Sequence, residues 1–151
     1  IAVANCNINT HYNGKLIDYL ARRNLKKSGM DYEHGTGHGV GYFLNVHEGP
    51  QAISKFNNIR IKEGMILSNE PGFYKKGKFG IRIENLVYVR KNKKRLFFEN
   101  LTMAPIEKDL INFEELNFQE KNYLFKYHLN VYLKLFKYLN NNEKKWLAGF
   151  I

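Results

Sequence analysis

The sequence predicts a mixed α+β fold from three observations: apolar residues at helical spacing near the start, extended segments through the middle, and a long amphipathic helix towards the end. With 151 residues, 44% of them hydrophobic and 15% aromatic, the chain can bury one core and is expected to be globular.

The first element is a helix in "GKLIDYLARRNLKKSG", where Leu16, Ile17, Leu20 and Leu25 recur near helical spacing and Gly29 supplies a stop. Residues 34–50, "HGTGHGVGYFLNVHEGP", follow. His34 and His38 stand four apart, the spacing of a metal pair on one helix face. Gly35, Gly37, Gly39 and Gly41 argue against a helix, because each interior glycine costs about 1 kcal/mol relative to alanine. An extended segment fits better, with His34, Thr36, His38 and Val40 on one side and a bare glycine face that lets a backbone or ligand approach. A glycine-rich surface loop with incidental histidines is the plain alternative.

"IRIKEGMILSNEPGFY" then alternates or runs apolar through Met65, Ile66 and Leu67 up to a turn signal at Pro71-Gly72. "FGIRIENLVYVR" is the clearest strand. As one extended element it places Ile81, Ile83, Val87 and Val89 on one face, and Arg82 and Glu84 together on the other. The basic run Arg90 to Arg95 reads as a solvated turn. After "LTMAPIEKDLI", Asn117 and Glu120 form a capping box for a helix in which Leu124, Tyr127, Val131 and Leu135 repeat at packing intervals. His128 lies inside that helix and is expected to be structural.

Composition narrows the function. No apolar run reaches the roughly 20 residues of a membrane span, and the first residues lack the pattern of a signal peptide. The chain opens on Ile1, which suggests a processed product or a fragment. Cys6 is the single cysteine, so no internal disulfide is possible, and a reducing, cytoplasmic compartment is expected. The net charge of +10 would suit a polyanion, but the lysines are spread along the chain, so nucleic acid is not the expected partner.

Glu70 and Glu84 stand in apolar, glycine-rich surroundings, where a buried carboxylate needs a cation, a donor or a metal to offset its desolvation. With one histidine they make a mixed nitrogen and oxygen donor set, suited to manganese, iron, cobalt or zinc.

"HGTGHGVGYFLNVHEGP", "GMILSNEPGFY" and "FGIRIENLVYV", in this order and spacing, closely resemble the catalytic domain of the Xaa-Pro aminopeptidases, pita-bread metallopeptidases related to methionine aminopeptidase and creatinase. "LTMAPIEKDLI", "FKYHLNVY" and "WLAGFI" resemble the C-terminal extension of the long, multidomain form, which is often a dimer. The resemblance implies a C-terminal portion of a pita-bread fold, with a curved, mainly antiparallel sheet and flanking helices. Residues 1–104 would be a partial metallopeptidase domain, and residues 105–151 the helical extension.

The same resemblance implies that His38, Glu70 and Glu84 bind metal and that Glu70 also moves protons. His34 and His47 would contact substrate around the scissile bond, with Arg82 orienting the site. The implied cofactors are two divalent ions, most often Mn2+, with Co2+ or Zn2+ in related sites. Water activated by such ions, whose pKa falls from ~15.7 to ~7 in favourable sites, would attack the carbonyl before proline in peptides beginning Xaa-Pro. The family uses five protein ligands. Two are aspartates upstream of the segment resembling "IAVANCNINT", and none of Asp18, Asp31 and Asp109 stands in a matching position. The expectation is that this chain alone holds at most one ion weakly and has little or no peptidase activity, and that it pairs with a second copy or with the missing N-terminal half. A non-catalytic pita-bread module binding protein or nucleic acid is the alternative.

Overall fold

The computed structural model describes residues 1–6, 8, 11–43, 45–93 and 95–151. Leu44, within the histidine segment, and Lys94, within the basic run, lie outside the described residues. The chain divides into two compact units, Ala2–Thr102 and Met103–Ile151 together with Ile1.

In the first unit, α1 (Gly14–Lys27) begins where the Asn13 side chain accepts from the Leu16 N–H, satisfying one of the donors that a helix start leaves unpaired. Lys26 and Lys27 lie in its last turn, favourably placed for the helix dipole, and Gly29 follows with φ +69°. Ile17 is fully buried, whereas Leu16 is largely exposed and Leu20 and Leu25 are half-buried. The helix also buries Asp18 and Arg22.

β1 (Gly37–His38) pairs antiparallel with β2 (Ala52–Ile53). The extended reading of the histidine segment holds only locally. Regular pairing covers Gly37 and His38, a single bridge joins Gly39 to Leu67, and along the segment Thr36 is buried while His34, His38 and Val40 are half-buried. The close approach expected of the glycine face is present. A Cβ on Gly37 would lie 1.9 Å from the Ser68 carbonyl oxygen, so only glycine lets β1 lie this close to the next strand.

That strand is β3 (Ile66–Asn69), followed by β4 (Gly72–Lys75), β5 (Phe79–Arg82), β6 (Asn85–Asn92) and β7 (Arg95–Asn100). β3, β6 and β7 form an antiparallel sheet in the order β3-β6-β7, and β4 pairs with β5 as a hairpin. "FGIRIENLVYVR" is therefore two strands with a break at Ile83-Glu84, not one. The two halves also differ in burial: Val87 and Val89 sit in the core beside Leu67 and Ile17, but Ile81 and Ile83 are exposed. Alternation alone put all four on one face. The physical difference is that β6 is flanked by strands on both sides and packs on α1's core, whereas β5 has only β4. The described residues of the basic run are exposed as expected, but Arg90–Asn92 belong to β6 and Arg95 to β7, so they stand at a hairpin end rather than in a free turn.

The second unit contains two short 3-10 turns, Lys108–Leu110 and Phe113–Glu115, then α2 (Phe118–Leu135), a further turn at Phe136–Tyr138, and α3 (Asn141–Ala148). The capping box of Asn117 and Glu120 is formed. Leu124, Tyr127 and Val131 are buried and Leu135 half-buried; Tyr127 and Val131 pack with Leu147 of α3. His128 is a structural residue: its Nε2 accepts from the Ile106 N–H at 3.0 Å, and burial holds the imidazole below the usual histidine value. No helix among the described residues is long and apolar enough to cross a membrane.

Candidate metal centre

β3·β6 and β4·β5 share one register, Asn69 facing Asn85 and Gly72 facing Arg82. Both strands are interrupted at the same level, so Glu70 and Glu84 face one another across the gap, where Ile83 N–H donates to the Pro71 carbonyl at 3.3 Å. Two like charges opposed across a strand pair are destabilising unless a cation lies between or beside them. His38 reaches the same place from β1: ligand atoms of His38, Glu70 and Glu84 all lie within 4.8 Å of one another.

The surroundings fix these groups. His38 Nδ1 is 2.9 Å from the Gly39 carbonyl, which can only accept, so this nitrogen carries a proton and, in the neutral ring, Nε2 offers its lone pair. Nε2 lies 3.4 Å from Glu70 Oε1, so the neutral ring and the carboxylate face one another as two acceptors across a gap that a cation would bridge. Ser68 Oγ ties both residues together, accepting from His38 N–H at 2.8 Å and donating to Glu70 Oε1 at 2.8 Å. The other carboxylate oxygen, Oε2, accepts from Arg82 Nη1 at 3.1 Å. Glu70 is buried, His38 half-buried and Glu84 exposed, so the site opens to solvent on one side.

Arg82 also donates through Nε to the Tyr74 hydroxyl at 2.8 Å, a contact that, with the charges of Glu70 and Glu84, holds its guanidinium above the ordinary arginine value. The same hydroxyl stands 2.9 Å from His34 Nε2, while His34 Nδ1 faces the Gly35 carbonyl at 2.7 Å. Proton donation thus runs from Arg82 to Tyr74 to His34. The exposed His47 lays its ring 4.1 Å, centroid to centroid, from the ring of His38. The other five sequence-expected residues therefore gather around Glu70: His38, Glu84 and Arg82 directly, His47 through His38, and His34 through Tyr74 and Arg82.

Sequence reasoning missed Ser68 and Tyr74. Both lie within "LSNEPGFY", but hydroxyl partners depend on register, which the sequence does not display. It also missed Asn69, whose buried Oδ1 has no hydrogen-bond partner among the described residues and leaves an unsatisfied acceptor on the residue before Glu70. One imidazole nitrogen and two carboxylates, their ligand atoms within 4.8 Å of one another, fit a divalent cation of the manganese-to-zinc series.

A model of metallopeptidase family M24 matches residues 2–91. The chain belongs to metallopeptidase family M24. A model of the C-terminal region of peptidase M24 covers residues 94–149. Among curated relatives, this M24 chain is 49% identical over 147 residues to a probable Xaa-Pro aminopeptidase P of Laccaria bicolor, covering 89% of the chain and 23% of that protein. It is 46% identical over 152 residues to Xaa-Pro aminopeptidase 1 of Dictyostelium discoideum, covering 92% and 24%. The crystal structure of an X-prolyl aminopeptidase from Caenorhabditis elegans, described as a cytosolic enzyme with a di-nuclear active site, superposes with a TM-score of 0.90 at 38% identity, covering 98% of the chain and 26% of that protein. The fold is that of the C-terminal part of a pita-bread metallopeptidase, and the M24 chain spans about a quarter of the length of these relatives.

Proposed function

We propose that this chain carries the metal-binding and proton-transfer half of a metal-dependent aminopeptidase that releases the first residue of peptides beginning Xaa-Pro. The carrying observation is the opposition of Glu70 and Glu84 with His38 Nε2 aimed between them. His38, Glu70 and Glu84 would hold the cation, manganese by the hardness of the carboxylates, with cobalt or zinc as substitutes. When bound, such an ion is a Lewis acid that polarises a carbonyl and makes water a nucleophile at neutral pH.

The chain's own residues do the rest. Glu70 accepts a proton from the attacking water and passes it to the departing proline nitrogen, with Ser68 and Arg82 holding its two oxygens in position. His47, exposed beside His38, presents an imidazole on the substrate side, where an N–H can stabilise a developing oxyanion, and His34, held by Tyr74, lines the same side. Arg82 keeps Tyr74 and Glu70 in one arrangement.

In this reading residues 1–104 are the catalytic portion and residues 105–151 a helical extension. The intact site takes two ions, and the three side chains of this chain hold one of them weakly. Association with a second copy or with an upstream catalytic half, in the cytoplasm, completes the reading, in keeping with the description of the nematode relative as a cytosolic enzyme with a di-nuclear site. Hydrolysis of an Arg-Pro-Pro peptide with added manganese tests it. The expected result for the 151-residue chain is slow release of arginine at most, lost with chelator and in Glu70→Gln. Brisk turnover by the chain alone contradicts the one-ion reading, and turnover that survives Glu70→Gln contradicts the proton-transfer role.

A further inference from the structure

Outside the metal cluster, the densest set of buried charge lies between α1 and the segment that leads to His38. The Arg22 guanidinium is buried and its nitrogens are all engaged: Nε donates to Asp18 Oδ2 at 2.8 Å, Nη1 to Asp31 Oδ1 at 2.8 Å and to the Tyr32 carbonyl at 2.5 Å, and Nη2 to the His34 carbonyl at 2.5 Å. Its Cζ lies 3.9 Å from the centre of the Tyr32 ring. Asp18, also buried, turns its second oxygen to Thr36, accepting from Oγ1 at 2.7 Å and from the backbone N–H at 3.4 Å. Thr36 in turn shares a 2.5 Å hydrogen bond with the Tyr32 hydroxyl. Lys26 stands 3.6 Å from the other oxygen of Asp31.

A buried ion pair is weak evidence for stability, because apolar residues of the same volume serve as well, and its better-attested use is to fix one arrangement among several. Here the contacts are distributed in a telling way. One i,i+4 pair on a single helix grips the backbone at positions 32, 34 and 36, three alternate residues of the segment that presents His34 and enters β1 at Gly37. Only the forked, five-donor guanidinium can hold two carboxylates and two carbonyls together; a lysine, with one nitrogen, cannot.

We infer that Asp18 and Arg22 are positioning residues, which lock the backbone around His34 so that its imidazole meets Tyr74 and, through it, Arg82 and Glu70. The inference rests on the reading of His34 as a substrate-side imidazole only for its consequence; the positioning itself concerns this chain alone. The locked arrangement demands one His34 tautomer, with the proton on Nδ1 facing the Gly35 carbonyl and Nε2 accepting from Tyr74.

The test is the imidazole nitrogen spectrum of the histidine-labelled 151-residue chain, without metal or peptide, in the parent, in Arg22→Lys and in Asp31→Asn. A second spectrum, of the methyl groups of Ile17, Leu67, Val87 and Val89, reports that the compact unit holding His34 is folded. The expected result is a single Nδ1–H tautomer for His34 in the parent, averaging to the mixture of a free imidazole in Arg22→Lys and shifting part of the way in Asp31→Asn, with the core methyl signals still dispersed. A His34 signature identical to the parent in folded Arg22→Lys overturns the proposal. Should Arg22→Lys fail to fold, Asp18→Asn, which keeps the shape of the side chain but loses the charge that pairs with Arg22 Nε, decides by the same criterion. A mixed tautomer in the parent overturns it as well. Failure here leaves the metallopeptidase reading standing, and failure of the parent to bind manganese leaves the clamp standing.

Discussion

At the scale of residues, the centre is a problem of unshared lone pairs. Glu70 and Glu84 face one another across a strand interruption, and His38, its Nδ1 proton engaged by the Gly39 carbonyl, turns Nε2 towards Glu70. Arg82 and Ser68 satisfy part of Glu70, and no described donor stands between Glu70 and His38 Nε2. Arg82→Lys keeps the charge but cannot hold Tyr74 and Glu70 at once, so manganese affinity should fall about 10–100-fold, the usual cost of losing an outer partner of a metal ligand. Titration of the metal into the variant and the parent checks this, and equal affinities would remove Arg82 from the site. His38, Glu70 and Glu84 were legible in the sequence because charged and imidazole side chains are conspicuous among glycines and aliphatic residues. Ser68 and Tyr74 were not, since an ordinary hydroxyl acquires its role only when the fold brings a partner to it.

At the scale of elements, local chemistry and tertiary pairing divide the account. The stop of α1 at Gly29 and the capping box of α2 were readable because each is decided within a few residues. Asn117→Ala should cost about 1 kcal/mol in thermal or denaturant unfolding. The break between β5 and β6 was not readable, for the alternation of Ile81, Ile83, Val87 and Val89 runs on undisturbed while the pairing partners change. Nor was the burial of Asp18 and Arg22, because charges at i and i+4 usually mark a solvated helix face. Two glycines separate the effects of crowding and of backbone conformation. Gly37→Ala drives a Cβ into the Ser68 carbonyl and should destabilise by about 1–3 kcal/mol or more, while Gly29→Ala meets no neighbouring atom and pays only for its positive φ, about 1–2 kcal/mol. A loss at Gly37 smaller than that at Gly29 would argue against the close packing of β1 on β3.

At the scale of the whole molecule, the two compact units carry different chemistry: the metal cluster lies in Ala2–Thr102, and the structural His128 in Met103–Ile151. Burial lowers the His128 value below the 6.5 usual for histidine. Above that value His128 is neutral in folded and unfolded chains alike. As the pH falls below it, the unfolded chain takes up a proton that the folded one resists, so stability declines by up to about 1.4 kcal/mol per pH unit until the lowered folded value is reached. His128→Gln should flatten that part of the pH dependence of unfolding, and an unchanged slope would show that another group is responsible. The first unit rests on a core of Ile17, Leu67, Val87 and Val89 beneath the strands that deliver Glu70 and Glu84. Leu67→Ala, which empties part of that core, should cost about 2–5 kcal/mol.

The most direct measurement is a titration of manganese into the 151-residue chain, followed by electron paramagnetic resonance of the free ion, in the parent and in His38→Ala, Glu70→Gln and Glu84→Gln. One ion should bind the parent weakly, and each substitution should lower its affinity at least tenfold. A parent that takes up no manganese, or three variants that bind it as the parent does, would contradict a cation held by one imidazole and two opposed carboxylates.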